Sequence, residues 1–380
     1  MIERKVRRSN NPLPSFAKRY RGVIKGSNLT RITEEEGINL LEKSDLLTLG
    51  DMANSIRKRI HPGKRVTFVI DRNINYTNIC INRCRFCAFY RNENDSDAYI
   101  LSNDEIFRKI EEILELGGTQ ILLQGGLHPS LPIDYYTDLL RSIKRSFPVH
   151  IHAFSPPEII HFARLSDLTI REVLMILKES GLDSIPGGGA EILVDKVRGI
   201  ISPKKIKSDE WIEMMETAHG LGIPSSATMM FGSVEKKADI IKHLFRLREL
   251  QDRTGGFTAF IPWTFQPLNT ELRIKSSEFG VKNFTTTGVE YLKVLALSRI
   301  ILNNFKNIQV SWVTQGPKMA QVALKFGAND FGSTMIEENV VSAAGTAYRM
   351  SKEEIIEIIK DAGYIPAQRN TLYEIIREWS

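Results

Sequence analysis

The sequence predicts an α/β fold, a (β/α)8 TIM-type barrel with an N-terminal helical extension and C-terminal helices. Three observations carry that expectation. From residue 66 onward, short β-branched apolar runs alternate with helix-length amphipathic stretches. Eight such units fit into residues 66–335 at about 34 residues apiece, a length suited to βα repeats. The ends of the expected strands are polar or glycine-rich, where a barrel enzyme gathers its functional groups. A doubly wound open sheet is the competing topology.

The elements follow in order. Thr33 with three glutamates behind it, and Ser44 before Asp45 and Leu46, read as caps of two short amphipathic helices. Strands are expected at 66–74, 120–124, 149–154, 184–186, 226–231, 258–265, 308–314 and 330–334. Helices are expected between them at 102–116, 133–147, 169–180, 208–221, 236–253, 287–304 and 316–326. Several begin at Ser or Thr and stop near Gly, as capping favours. Residues 351–362 and 371–379 read as two further helices. The expected division is a basic arm and helical extension at 1–65, the barrel at 66–345, and C-terminal helices packed on it at 346–380. The polar stretch 269–287 reads as a linker or an ordered active-site loop.

Composition narrows the function classes. The 380 residues are 42% hydrophobic and 25% charged, which excludes wholesale disorder. No apolar run approaches the roughly 18 residues of a membrane span, so no membrane partner is expected. The net charge of +6 is uneven. Residues 1–25 hold eight basic residues and one acid, and the remainder carries 43 basic and 44 acidic residues. A uniformly basic nucleic-acid-binding body, and a nucleic-acid partner with it, is therefore not expected. The arm reads either as a solvated terminus or as a contact for RNA, lipid or an acidic protein. It lacks the apolar core of a secretory leader.

All three cysteines lie within eight residues, Cys80, Cys84 and Cys87, in the spacing C-x3-C-x2-C after the first barrel strand. An odd, clustered set argues against a disulfide scaffold and for a reducing, cytoplasmic setting. Soft thiolates suit zinc, Cu(I) or an iron–sulfur cluster. A closed zinc site wants a fourth ligand, and His61 and His128 lie far from zinc-ribbon spacing. Three thiolates on a four-iron cluster leave one iron open to a small molecule. A zinc or iron–sulfur protein that binds nucleic acid through its arm is the non-catalytic rival. The sequence has no G-x-G-x-x-G, Walker A, H-E-x-x-H or G-x-S-x-G motif.

The cysteine loop, with Phe86 before its last ligand, resembles that of the radical S-adenosylmethionine (SAM) enzymes. The words Asp71-Arg-Asn-Ile-Asn-Tyr-Thr-Asn-Ile-Cys80, Phe86-Cys87-Ala-Phe-Tyr-Arg91, Gln124-Gly-Gly-Leu-His-Pro129 and His150-Ile-His-Ala-Phe-Ser-Pro-Pro-Glu158 are similar to the menaquinone-pathway (futalosine) branch of that family. So are Ile185-Pro-Gly-Gly-Gly-Ala-Glu191, Ala259-Phe-Ile-Pro-Trp-Thr-Phe-Gln-Pro267, Ser311-Trp-Val-Thr-Gln-Gly316 and Gly327-Ala-Asn-Asp-Phe-Gly-Ser-Thr334. The resemblance implies a barrel with one 4Fe-4S cluster on Cys80, Cys84 and Cys87, and SAM as co-substrate. It implies cyclisation of dehypoxanthine futalosine through a 5′-deoxyadenosyl radical, with reduced flavodoxin or ferredoxin as electron donor. Aminofutalosine synthases and deazaflavin synthase subunits are sister enzymes that share the barrel and remain the alternative.

The same resemblance suggests roles for individual residues. Phe86 would pack on the adenine of SAM, or plug the core beneath the cluster. Gln124, Gly125 and Gly126 would approach the methionine end of SAM, although Gly126 stands where the family carries an acid; a plain βα turn is the simpler role. Glu191 and Ser155 would hold the ribose hydroxyls, and Arg198 would clamp a carboxylate or form a surface ion pair. Arg83 and Arg85 flank the thiols as cations or solvated charges. By strand alternation His150, His152 and Phe154 would share the lumen face, either binding substrate or forming a hydrogen-bonded structural pair.

Overall fold

The computed structural model of the chain describes residues 31–280, 284–346 and 348–380. The basic arm at 1–25 and part of the expected linker, 281–283, lie outside the described residues. The core is a barrel of parallel strands, β1 (Arg65–Val69), β2 (Asp71–Asn75), β3 (Gln120–Gln124), β4 (His150–Ala153), β5 (Ser225–Phe231), β6 (Phe257–Thr264), β7 (Asn307–Ile308) and β8 (Asp330–Ser333). β2, β3 and β4 pair in order, as do β5, β6 and β7. Single bridges His152↔Ser184 and Ile185↔Ser225 join the two groups, and Gln309↔Asp330 joins β7 to β8. β1 closes the circle by pairing in parallel with β8.

The expected strand at 66–74 is two segments, divided at Ile70. β1 faces β8, while β2 faces β3 in register from Asp71↔Gln120 to Asn75↔Gln124. The edge of β1 below that register is occupied by β9 (Ile365–Arg369), which pairs with it in parallel and carries β10 (Ile375–Glu378) antiparallel on its outer side. The expected helix at 371–379 is therefore corrected: the C-terminal segment is one helix, Lys352–Asp361, followed by a β-hairpin. The i, i+4 apolar spacing of Leu372, Ile375, Ile376 and Trp379 imitates a helix. Pairing with β9 overrides it, and Trp379 packs on Phe68 with ring centroids 5.4 Å apart.

Other corrections are local. The expected strand at 308–314 stops at Ile308, and Trp312–Gln315 is helical. Residues 184–186 contribute isolated bridges rather than a strand. The helix Pro156–Ser166, absent from the sequence expectation, starts directly after β4 with prolines in its first turn, where a missing N–H costs nothing. Thr33 caps Glu34–Lys43 as expected, but Asp45 rather than Ser44 caps Leu46–Ile60. These two helices pack on the outer helix Gly288–Ile301. The helix Leu46–Ile60 also passes close to Phe326, where a Cβ at Gly50 would lie 2.6 Å from the ring, so glycine is required there. Among the described residues no helix is long and apolar enough to cross a membrane.

Candidate active site

The site lies at the C-terminal ends of the strands, where β2 runs directly into the cysteine loop. That loop is tied down on several sides. Cys80 N–H donates to Arg91 O (3.1 Å), Ile81 N–H to Leu127 O (3.0 Å), and Arg85 N–H to Ile201 O (2.9 Å). Cys87 N–H donates to Cys84 O (3.0 Å), and Arg83 takes φ 43° so that the chain can double back between the thiols. The helical turn Glu271–Ile274, within the expected linker, covers the outside through Leu272 N–H to Arg85 O (2.8 Å).

All three cysteines are free thiols, and Cys84 is buried. Burial pushes the Cys84 thiol up to about 12, with Lys205 pulling the other way and the Glu191, Cys80 and Cys87 charges adding to the rise. Burial also raises the Cys87 thiol, against the Phe89 and Tyr90 N–H groups. Cys84 and Cys87, whose ionisation burial opposes, need a strongly positive centre to become thiolate ligands. An iron–sulfur cluster supplies that charge, so the donor set fits it.

The second half of the site is the segment Gly187–Glu191. A Cβ at Gly187 would lie 2.7 Å from the backbone of Ala227 and Thr228, so the segment can cross the sheet this closely only as glycine. Glu191, at φ 38°, is buried. Its Oε1 accepts from Lys205 Nζ at 2.9 Å, while Oε2 has no hydrogen-bond partner and lies 3.5 Å from Arg198. Lys205 Nζ also sits 5.3 Å from the Phe86 ring centroid. Burial opposes the Lys205 charge, but Glu191 and Cys84 outweigh it and raise the pKa of the ammonium. Buried Glu191 and Cys84 thus meet around the largely covered Lys205 ammonium, with the Phe86 ring beside it.

Arg198 does not fill its expected role. It is buried, and its guanidinium donates to Ala190 O (2.6 Å), Gly189 O (3.1 Å) and Ile206 O (2.7 Å). Those bonds fix the glycine segment and leave no fork free for a carboxylate, nor is it a surface ion pair. The cation facing the thiols and the carboxylate is Lys205, which sequence reasoning missed. Arg85 is likewise committed, to Ile200 O (2.7 Å) and Glu271 (3.7 Å).

Ser155, Gly125 and Gly126 are placed by packing. Glu158 Oε2 accepts from Ser155 N–H (2.7 Å) and Oγ (2.6 Å), and Oε1 accepts from Tyr76 OH (2.7 Å) and Gly125 N–H (3.0 Å). One buried carboxylate therefore binds the ends of β2, β3 and β4 together. Burial raises its pKa and those four bonds oppose the rise. A Cβ on Gly125 would meet the Tyr76 ring at 2.5 Å, and one on Gly126 would meet Ile79 O at 2.1 Å. Glu158 was legible only as the last letter of a capping box, S-x-x-E.

Gln124, Gly188 and Glu191 line a lumen cavity of about 260 Å³ together with His152, Asp71 and Trp263. A second cavity of about 220 Å³ shares Gln124 and Trp263 and is walled by Asn73, Val310, Trp312, Val340 and Glu338. His150 and His152 both bond to Ser184 Oγ, at 2.7 and 2.6 Å, but only His152 lines the lumen. Phe154 departs from the expected alternation. At φ 56° its ring turns into an edge-on cluster with Tyr76, Tyr136 and Phe162.

Residues 74–247 match the Radical SAM superfamily model, and residues 254–380 match the CofH/MqnC C-terminal region. The chain is 48% identical to a cyclic dehypoxanthine futalosine synthase of Halalkalibacterium halodurans, over 92% of this chain and 93% of that one. It is 44% identical to a synthase of the same name from Streptomyces coelicolor, over 90% and 85%. It is also 45% identical to a 5-amino-6-(D-ribitylamino)uracil–L-tyrosine 4-hydroxyphenyl transferase of Methanocaldococcus jannaschii, over 91% and 97%. Among solved structures, the FeFe-hydrogenase maturase HydG from Carboxydothermus hydrogenoformans superposes with TM-score 0.72 at 18% identity, over 94% of this chain and 81% of that one. Methylornithine synthase superposes with TM-score 0.71 at 17%, over 92% and 97%. The two structures agree with the barrel. The full-length sequence likeness agrees with the thiol loop, and a 4Fe-4S cluster and SAM go with it: the chain belongs to the radical SAM enzyme superfamily.

Proposed function

We propose that the chain cyclises dehypoxanthine futalosine in menaquinone biosynthesis, as a cyclic dehypoxanthine futalosine synthase. The observation that carries this reading is a pair of adjoining lumen cavities, one carrying Asp71, His152, Glu191 and Arg369 on mainly apolar walls and the other combining Trp312 and valines with Asn73, Asn75 and Glu338. A substrate that joins a hydroxylated ring to an arene needs such a pair. The names of the two relatives at 48% and 44% identity support it.

Cys80, Cys84 and Cys87 would hold the cluster, which when bound supplies the electron that cleaves SAM and so provides a hydrogen-abstracting carbon radical. Gln124, Gly188 and Glu191 line the space in which SAM would lie, and Lys205 joins it to the cysteine loop by its bond to Glu191 and its contact with the Phe86 ring. Gly125, Gly126, Ser155 and Arg198 hold the walls of that space in place. The barrel staves exclude water from the lumen, which an open-shell intermediate requires. Orientation is the protein's contribution, because the reactivity belongs to the cofactors. A reduced flavodoxin or ferredoxin is the proposed electron donor, the cytoplasm the proposed compartment, and 1–65, 66–345 and 346–380 the proposed division of the chain.

The test is anaerobic reconstitution with iron and sulfide, followed by incubation with reductant, SAM and dehypoxanthine futalosine. The expected products are 5′-deoxyadenosine and a cyclic product two hydrogens poorer than the product of simple hydrogen return. SAM cleavage with dehypoxanthine futalosine left intact would assign the chain to a sister activity instead.

A further inference from the structure

The two lumen cavities meet at a waist. Four polar side chains line both of them: Gln124 at the end of β3, Trp263 near the end of β6, Gln309 directly after β7 and Ser333 at the end of β8. Most polar groups on the walls are committed to the protein. The hairpin residues Arg369 and Thr371 floor the first cavity, Arg369 paired with Asp330 and Thr371 bonded to Gln120 Oε1. Thr228 Oγ1 donates to Gly187 O at 2.6 Å, and Thr258 Oγ1 to Ser225 O at 3.1 Å. In the second cavity Glu338 accepts from the N–H groups of Val340 and Val341 at 3.2 and 2.7 Å. At the waist itself Ser333 Oγ accepts from Met335 N–H at 3.0 Å.

Gln124, Trp263 and Gln309 differ from these. Each is only partly covered although it lies inside the barrel, and no side-chain nitrogen or oxygen of the three is hydrogen-bonded or walled off from the cavities. The strand register places two of them together. Phe260 pairs with Ile308 and Gln309 N–H donates to Phe260 O at 2.9 Å, so Gln309 stands beside Ile261. Trp263 follows Ile261 by two residues and shares its face. The Gln309 amide lies over Gly332, where a Cβ would come within 2.9 Å of Nε2 and where φ is 96°. An indole N–H and an amide N–H, both uncharged and both without a protein partner, therefore border the junction. A carbonyl oxygen has two lone pairs and can accept from both. A carboxylate would meet no free cation there. Arg369, the one arginine or lysine among the described lining residues, is already paired with Asp330.

We infer that Trp263 and Gln309 hold a neutral carbonyl oxygen at the middle of the substrate, while the two ends of that molecule extend into the two cavities. The inference rests on the proposed cyclase reading, since dehypoxanthine futalosine carries an aryl ketone between its ribose and its arene. It adds to that reading the residues that fix the linker and so set how the two reacting ends approach each other.

The experiment is equilibrium dialysis of the reconstituted, unreduced holoenzyme with SAM present. The probes are dehypoxanthine futalosine and its analogue with a methylene in place of the ketone. Wild type should bind the analogue about tenfold more weakly or worse, as for the loss of at least one hydrogen bond. Gln309→Met should bind dehypoxanthine futalosine about tenfold more weakly than wild type does, and the analogue as well as wild type does. Trp263→Phe keeps an aromatic ring, loses the N–H and should show the same pattern, so the test does not hang on one variant folding. Equal affinity of wild type for the two probes would overturn the inference alone. So would variants that keep wild-type affinity for both probes, or that lose equally for both. A wild-type enzyme that cleaves SAM when reduced but binds neither probe would overturn the cyclase reading, and the inference with it.

Discussion

Lys205 Nζ donates to Glu191 Oε1 at 2.9 Å in a setting where the two side chains are 11% and 5% exposed. The pair joins the glycine segment after the third helix–strand unit to the cysteine loop, since the same ammonium favours the thiolate of Cys84. Lys205→Met would leave the Glu191 carboxylate buried with only Arg198 at 3.5 Å. Breaking a buried pair from one side costs about 3–5 kcal/mol. Denaturant unfolding of the variant should show a loss of that order. Lys205→Arg should recover part of it, because charge returns but the donor geometry does not.

Gly126 closes on the cysteine loop without room for a side chain. A Cβ there would sit 2.1 Å from Ile79 O and 2.9 Å from Cys80 Cβ, both on the loop itself. Gly126→Ala must therefore move the first thiol, and iron and sulfide content after anaerobic reconstitution should fall to less than half that of the wild type. Gly220, at the end of the helix Ser208–Gly220, has open space around its missing Cβ. Gly220→Ala should retain full iron and gain about 0.4–1 kcal/mol by restricting the unfolded chain. Equal iron loss in both variants would contradict the steric account.

The barrel was legible because each stave needs an apolar strand and an amphipathic cover of fixed length, and both periods are local. The cysteine loop was legible because its chemistry is carried by spacing. What remained hidden depends on long-range pairing. Nothing near Tyr373 announces that residues 365–378 form a hairpin, because its pattern satisfies a helix until β1 offers it an edge. Arg198 and Lys205 read alike from sequence, both basic and both shortly after Glu191. Only the carbonyls of Gly189, Ala190 and Ile206 decide that one is a structural brace and the other a site cation. Phe154 followed a sound alternation argument and failed it at one dihedral, where the strand ends and the chain turns into Pro156.

Acid should destabilise the fold through histidines rather than through carboxylates alone. Burial holds His152 and His243 down to about 3 and His219 down to about 4. In the unfolded chain each would titrate near 6.5. Above that pH both states are neutral and the contribution to stability is whole. As pH falls from about 6.5 toward 4 the unfolded chain takes up protons that the folded one refuses, so stability declines. The slope should approach about 1.4 kcal/mol per pH unit for each histidine. His243 Nδ1 accepts from Leu193 N–H at 3.0 Å, a bond that an amide oxygen can also take. His61, His128, His150 and His161 are also lowered by burial and share in the slope, so His243→Asn should flatten it between pH 6 and 5 by no more than about 1.4 kcal/mol per pH unit while leaving the fold intact, as measured by urea unfolding at each pH.

The attachment of the hairpin rests on Asp330, at the foot of β8. Its Oδ2 accepts from Arg369 Nε and from Thr67 Oγ1, both at 2.5 Å, and its Oδ1 from Arg369 at 3.1 Å and Gly332 N–H at 2.9 Å. One carboxylate so joins β8, β1 and β9 in a layer where Asp330 is wholly buried. Arg369→Met removes the cation and leaves the acid in place, so a loss of about 3–5 kcal/mol is expected. Asp330→Asn in the same chain removes the stranded charge and keeps an acceptor for Thr67 and Gly332. The double variant should therefore be more stable than Arg369→Met alone, a coupling that a double-mutant cycle in urea reads directly. If the two losses simply added, the hairpin would be held by packing of Trp379 on Phe68 and not by the ion pair, and the floor of the lumen would owe its position to that contact instead.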